Sequence, residues 1–278
     1  MTFILLYLAL YLLLYLAVLA IGPLVQRLLA KSAQWTASFR YRDYLPVFVV
    51  IAAGLALTAF GGDAFIDLAE RLQLESSGMH RIDADVHAWA TETRTSGATT
   101  FFTAMTVIGT PVGLCVLIAL VSAYLAIQKR WRWIAYLVLT SGTGGLLNLW
   151  LKATFARERP VLAVALRDAH GYSFPSGHAM GSTIVFGALS YLAFRIFKYW
   201  RWRAAAVALT TSMIFAIAAS RIYLGVHWIS DIGGGIAAGL VWLATTTVAY
   251  ETFRRIRLVR SLREKAQLAS SSRTSLGE

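Results

Sequence analysis

The chain has 278 residues, of which 58% are hydrophobic and 14% charged, with a formal net charge of +12. A soluble domain of this length carries more charge, so the composition excludes an ordinary water-soluble globule. The apolar residues fall in long runs without alternation, which excludes a membrane β-barrel and leaves helices crossing a bilayer.

Spanning hydrocarbon takes about 20 apolar residues. Residues 3–22 form the first such run, rich in Leu and Tyr. No Lys or Arg precedes it, and the small-residue cleavage pattern near Ala20 is weak, so it reads as a retained helix rather than a signal peptide. Residues 25–38 suit a short basic helix on the cytoplasmic face. The second run covers 44–61, with Pro46 in its first turn, where proline is tolerated. Residues 63–97 make the largest region outside the spans. Phe65, Leu68 and Leu72, then Ile82, Val86 and Trp89, recur at helical spacing between charges, as in helices lying in the interface. His80 and His87 read there as surface histidines.

The third run, 99–128, is long enough to cross at a tilt. It holds Cys115, the single cysteine, which permits no disulfide or thiolate metal site within one chain and reads as a packing residue. Runs at 133–151, 177–197, 204–219 and 229–250 complete a count of seven. Gly142, Gly144, Gly145, Gly233, Gly234, Gly235 and Gly239 suit close helix packing. Trp131, Trp133, Trp200 and Trp202 at helix ends suit an aromatic belt. The polar end 270–278 reads as unstructured. The expected fold is therefore all-α and membrane-integral. Residues 1–43 supply an N-terminal span and basic connector, 44–250 a core with an external region at 63–98, and 251–278 a basic tail.

Charge fixes the expected sidedness. Arg27, Lys31, Arg40 and Arg42, the loop Lys129, Arg130 and Arg132, the loop Arg195, Lys198, Arg201 and Arg203, and the tail together hold 18 of the 26 basic residues. Seven crossings put all four stretches on one side, which the positive-inside rule makes the cytoplasm. Ten of the 14 acids fall on the other side. These basic runs read as topology signal and attraction to anionic lipid, not as a nucleic-acid surface.

With that topology, three polar corners fall on the outer face. Lys152 ends the fourth span, and Arg159-Pro160 follows it. Ser176-Gly177-His178 opens the fifth. Ser220-Arg221 ends the sixth, and His227 to Asp231 opens the seventh. Lys152, Arg159 and Arg221 are three cations where charge is expensive. Glu158 and Asp168 are nearby, but a loop can turn them to water. Converging cations want a multiply charged anion, and phosphate suits Arg as a fork and Lys as a point charge. Ser176-Gly177 precedes a helix whose first N–H groups favour an anion, with Gly177 allowing close approach. His227 and Asp231, four apart, share a helix face, so the carboxylate can orient the ring for attack. The set suits in-line phosphoryl transfer: His227 attacks phosphorus, and His178 protonates the leaving oxygen and then activates water. No carboxylate cluster suits Mg²⁺ or Zn²⁺, so no metal or other cofactor is expected.

Lys152-x6-Arg159-Pro160, Pro175-Ser176-Gly177-His178 and Ser220-Arg221-x5-His227-x3-Asp231 together resemble the tripartite signature of the type-2 phosphatidic acid phosphatase superfamily, in order and in spacing. The resemblance is good over about 99–250. It implies a six-helix core from about residue 44 to 250, with 3–22 as an extra helix. It also implies metal-independent lipid phosphatase activity: Lys152, Arg159, Ser176, Gly177 and Arg221 bind phosphate, His178 is the acid, His227 the nucleophile and Asp231 its partner. Soluble vanadate-binding haloperoxidases share the signature, but seven spans argue against them.

The expected protein is an inner-membrane lipid phosphatase with a periplasmic site and a cytoplasmic C-terminus. Its substrate is a bilayer lipid phosphate or diphosphate: undecaprenyl diphosphate, phosphatidylglycerol phosphate or phosphatidic acid, in that order. A phosphotransferase passing the group to a second lipid such as lipid A is the nearest alternative. A lipid binder or transporter without chemistry is the other. Oligomeric state is not readable from the sequence.

Overall fold

The structure, a computed structural model, describes residues 2–35, 45–73, 78–160, 165–167 and 170–274. It contains helices α1 (Thr2–Trp35), α2 (Leu45–Gln73), α3 (Met79–Glu92), α4 (Ser96–Ile108), α5 (Pro111–Ile127), α6 (Trp131–Phe155), α7 (Gly177–Ile196), α8 (Trp200–Tyr223) and α9 (Ile229–Thr274), with no strand among the described residues. Among these residues α6, α7, α8 and the Ile229–Arg257 stretch of α9 are long and apolar enough to cross a bilayer. The pair α4 and α5 makes a fifth crossing if taken as one bent span. α1 and α2 are helical over the other two runs.

The run 99–128 is not one tilted helix. It breaks between α4 and α5 with a bend of 59°. The reason is local. Thr110 is extended, and its hydroxyl accepts the Gly113 N–H at 3.0 Å. Pro111 then opens α5 at a position where its missing N–H has no partner to lose. Gly109 sits at a close approach, since a Cβ there would lie 2.3 Å from Ile217 Cγ2 and 3.1 Å from His178 Cδ2. The break therefore seats the end of α4 against α8 and the start of α7.

Two other boundaries differ from the sequence reading. α1 runs unbroken through Pro23, so 25–35 continues the first helix and is not a separate basic one. α2 continues past Gly61 to Gln73. Its Phe65 packs on Phe155 and Phe174, with ring centroids 5.8 and 5.5 Å apart.

α7 occupies the middle. Val185 and Phe186 pack with Leu114 of α5 and Ile217 of α8, while Met180 and Ile184 pack with Leu151 of α6 and Ala238 of α9. Lipid is as apolar as Leu, so close fit rather than escape from water selects this arrangement. Gly235 shows the fit: an added Cβ would lie 2.8 Å from the Ser176 carbonyl and 2.9 Å from Ala179 Cβ. α1 lies along α8, where Ser212 Oγ donates to the Tyr7 hydroxyl at 3.2 Å.

At the end of the bundle away from the motifs, Trp133 packs with Tyr136, Tyr191 and Tyr250, while Trp131 and Trp202 stay exposed. Glu251, buried there, pairs with Arg195, Arg254 and Arg255. Beyond it α9 stays helical to Thr274, well into the stretch that composition reads as unstructured.

Candidate active site

The three polar corners meet because the main chain staples them together. α6 ends at Ala156, whose left-handed conformation (φ 43°) turns the chain away after Lys152 in the last helical turn. The Ser173 N–H donates to the Arg157 carbonyl at 2.8 Å, and Ser173 Oγ donates to the Glu158 carbonyl at 2.7 Å. The Ser176 N–H donates to the Asp231 carbonyl at 3.0 Å. Arg159 Nη1 donates to the Val226 carbonyl at 2.8 Å. Each corner is thus tied to the other two.

His227 is 2% exposed. It sits in the turn before α9 rather than on the helix. The four-residue spacing still works, because Asp231 in the first turn reaches back to accept from His227 Nδ1 (3.1 Å) and from the Trp228 N–H (3.0 Å). Arg159 Nη1 lies 3.2 Å from His227 Nε2. A guanidinium can only donate, so Nε2 accepts and the ring proton resides on Nδ1, facing the carboxylate. Burial lowers the His227 pKa well below its ordinary 6.5, and Arg221, Arg159, Lys152 and Arg157 push the same way. The ring is held neutral with its lone pair outward.

Arg159 also donates from Nε to the Gly171 carbonyl (2.9 Å) and from Nη2 to the His170 and Tyr172 carbonyls (3.1 and 3.3 Å). Burial lowers its pKa, Asp231 opposes this, and the guanidinium stays charged. Lys152 Nζ donates to the Tyr172 carbonyl, with the Ser173 carbonyl at 3.5 Å. Arg221, in the last turn of α8 and 6% exposed, donates from Nη1 to Thr106 Oγ1 at 2.7 Å.

Three further polar atoms of these corners are buried with no hydrogen-bond partner among the described residues: Ser176 Oγ, His178 Nε2 and Arg221 Nε. An unpaired buried polar group costs about 1–3 kcal/mol, and two of these atoms, His178 Nε2 and Arg221 Nε, belong to residues that line one cavity, so they ask for a shared polar ligand. Lys152, Arg159, Gly177, His178, Arg221 and His227 all line one cavity of about 1180 Å³. Ser176 caps α7 beside Gly177, and the first turn of that helix offers N–H groups to the same space. The far end of the cavity is apolar, walled by Leu114, Ile118, Val138 and Leu149. Gly142 and Gly145 leave room there, since a Cβ on either would meet nothing within 4 Å. These two do not pack helices as expected, whereas Gly144 does, lying against Ile184 and Trp242. Cys115 is exposed on this wall and is not the packing residue that the sequence suggested.

Glu158 is exposed, and Asp168 lies outside the described residues. His80 is exposed. His87 is half-buried, with its ring 5.5 Å from that of Trp228, and burial and then Arg94 lower its pKa. Among the described residues no three His, Cys, Asp or Glu side chains gather where they could hold one metal ion.

Sequence reasoning missed Thr106, Arg157 and Asp83. Arg157 Nη1 donates to Asp231 Oδ1 (2.6 Å) and Ser230 Oγ (2.8 Å), and Nη2 donates to Asp83 Oδ2 (2.7 Å). Asp83 comes from α3 and is 2% exposed. The apolar spacing of α3 marks its outward face, with Ile82 and Trp89 50% and 64% exposed, while Asp83 and Ala90 are the buried residues. Near a membrane, lipid can solvate the apolar side, so the protein keeps the polar one. The usable signal was the stripe Asp83, His87 and Ala90, one helical turn apart.

Residues 133–255 match the PAP2 superfamily. Phosphatidylglycerophosphatase B of Bacillus subtilis (strain 168) is 31% identical over 131 residues, which are 47% of this chain. That match spans 64% of the relative's length, just under two thirds. The crystal structure of a transmembrane PAP2 type phosphatidylglycerolphosphate phosphatase from Bacillus subtilis superposes with a TM-score of 0.63 at 26% identity, covering 70% of this chain and 94% of that one. The segment 133–255 contains all three polar corners but neither Thr106 nor Asp83.

Proposed function

We propose, on the premise that residues 133–255 form a PAP2 superfamily domain, that this integral membrane protein is a lipid phosphatase working through a phosphohistidine. The observation that carries the reading is the single cavity just described. Three cations and two histidines stand at one end with unpartnered polar atoms, and apolar walls fit a lipid tail at the other.

In this reading Lys152, Arg159 and Arg221 hold the non-bridging phosphate oxygens, with Ser176, Gly177 and the first turn of α7. His227 Nε2 attacks phosphorus in line, and the bond from phosphorus to the lipid oxygen breaks. His178 gives that oxygen its proton. Asp231 balances the positive charge that the phosphorylated imidazole acquires. His178, now neutral, takes a proton from water, whose oxygen attacks phosphorus. The P–N bond breaks, returning His227 and releasing inorganic phosphate. Proton transfer of this kind contributes about 10²–10⁴-fold, so the cations supply much of the rest by stabilising charge already in place. No step calls on a metal.

The relatives' names bring phosphatidylglycerol phosphate to the front of the candidate substrates, ahead of undecaprenyl diphosphate and phosphatidic acid. The distribution of basic loops supports a site on the periplasmic side of the inner membrane and a cytoplasmic C-terminus. The test is phosphate release from these three lipids in detergent with EDTA, beside His227→Ala. Release that survives EDTA and vanishes in the variant is expected. Release abolished by EDTA would overturn the metal-free mechanism, and release that requires a second acceptor lipid would make the protein a transferase.

A further inference from the structure

We infer that Asp83 and Arg157 are positioning residues for the His227–Asp231 pair, which makes α3 a working part of the active site. The inference rests on the phosphohistidine reading above and deepens it. Asp83 lies outside the segment 133–255 that matches the superfamily.

The two arginines of one loop face opposite ways. Arg159 lines the cavity, while Arg157 does not. Both terminal nitrogens of the Arg157 guanidinium are engaged elsewhere: Nη1 on Asp231 and Ser230, Nη2 on Asp83, with its face 5.7 Å from the Trp228 ring centroid. It is therefore poorly placed to hold phosphate. What it holds is the carboxylate behind the nucleophile.

Asp231 is fully buried. One of its oxygens faces His227 Nδ1, and the other accepts from Arg157 at 2.6 Å. With both oxygens engaged the carboxylate is held from rotating, and the hydrogen bond it accepts from Nδ1–H keeps the ring proton there and leaves the Nε2 lone pair aimed at the cavity. Asp83 does two things for this. Its Oδ2 takes the other arm of Arg157, so the guanidinium is fixed between two acids. Its Oδ1 accepts the Ser230 N–H at 3.0 Å, and its Oδ2 accepts Ser230 Oγ at 2.6 Å, which caps the first turn of α9 next to Asp231. The result is a row of alternating charge, buried Asp83, Arg157 and buried Asp231, ending on an imidazole that becomes cationic when phosphorylated. A row of this kind favours the charged intermediate without touching the phosphate.

The effect should then fall on turnover and not on phosphate binding. The experiment uses the full chain in detergent, with Asp83→Asn, Arg157→Lys, Asp231→Asn and the double variant Asp83→Asn/Asp231→Asn. It reads kcat and KM on the lipid phosphate that the unaltered protein hydrolyses best, competitive inhibition by inorganic phosphate, and thermal unfolding. Asp83→Asn should lower kcat about 10–100-fold, the range seen when groups orienting a functional histidine are removed. KM and inhibition by phosphate should stay as they were. Arg157→Lys keeps the charge but cannot bridge both acids, so it should lower kcat in the same way. In the Asp231→Asn background, Asp83→Asn should cause no further loss of kcat, because its route of action is already gone.

Wild-type kcat in folded Asp83→Asn and Arg157→Lys would overturn the inference. So would losses that multiply in the double variant, which is how a merely structural tie would behave. A protein inactive on every lipid phosphate, with or without His227, would instead overturn the phosphatase reading beneath it.

Discussion

Arg159 Nη1 stands 3.2 Å from His227 Nε2, so a permanent cation faces the nitrogen proposed to attack. The contact keeps that nitrogen unprotonated. Attack needs neutral His227, which is present above its pKa in the folded protein and lost as pH falls through it. Burial and four neighbouring cations lower that pKa below 6.5. The acid limb of kcat/KM should therefore lie below pH 6.5. In Arg159→Gln, with one cation fewer, the limb should move upward on a much reduced rate. A wild-type limb above pH 6.5 would contradict a ring held neutral in this way.

Thr106 should matter although it lies outside the motifs. Its hydroxyl accepts from Arg221 Nη1 at 2.7 Å in a fully buried setting. Thr106→Val keeps the shape and removes the acceptor. A hydrogen bond to a charged group contributes about 1.5–3 kcal/mol, so kcat/KM should fall by roughly 10–100-fold as Arg221 loses its orientation. Steady-state kinetics beside a melting curve would separate this from unfolding.

Gly145 offers a test of where the lipid tail lies. A Cβ there meets nothing within 4 Å, and a longer side chain intrudes on the apolar end of the cavity. Gly145→Leu should raise KM for a long-chain lipid phosphate by roughly tenfold, about the value of two buried methylenes. Hydrolysis of a short-chain, water-soluble analogue should be spared. Equal effects on both substrates would place the tail elsewhere.

Gly235→Ala puts a methyl group 2.8 Å from the Ser176 carbonyl. Overpacking of this kind costs about 1–3 kcal/mol, so the variant should melt earlier. It should also lose activity while still folded, because the backbone that must move carries Ser176 and Gly177. Gly142→Ala, which meets nothing, is the control.

The convergence of Lys152, Arg159, His178, Arg221 and His227 is legible in the sequence for a physical reason. Hydrocarbon makes charge rare, so the few cations and imidazoles at span ends stand out and topology alone gathers them. The same medium hides other features. Apolar content reports depth and not neighbours, so the helical spacing of Phe65, Leu68 and Leu72 did not show that this stretch continues α2 past Gly61 and packs Phe65 on Phe174. The break at Gly109-Thr110-Pro111 carried its own start signal, a capping Thr before Pro, but an apolar run long enough for one tilted helix masked it. Asp83 and Arg157 find each other across 74 positions. Nothing local in either stretch encodes that pairing, and in α3 the hydrophobic stripe marks the side turned away from the protein.

The apolar end of the cavity lies between α5 and α6 and is walled by residues that are themselves on the flank of the bundle, with Leu149 65% and Val138 46% exposed. For the lipid phosphate proposed above, that flank offers a sideways entry from the surrounding leaflet without passage through bulk water. Encounter becomes a two-dimensional search, and occupancy follows the mole fraction of the lipid in the membrane. Dilution with inert lipid should slow such a catalyst even at constant molarity.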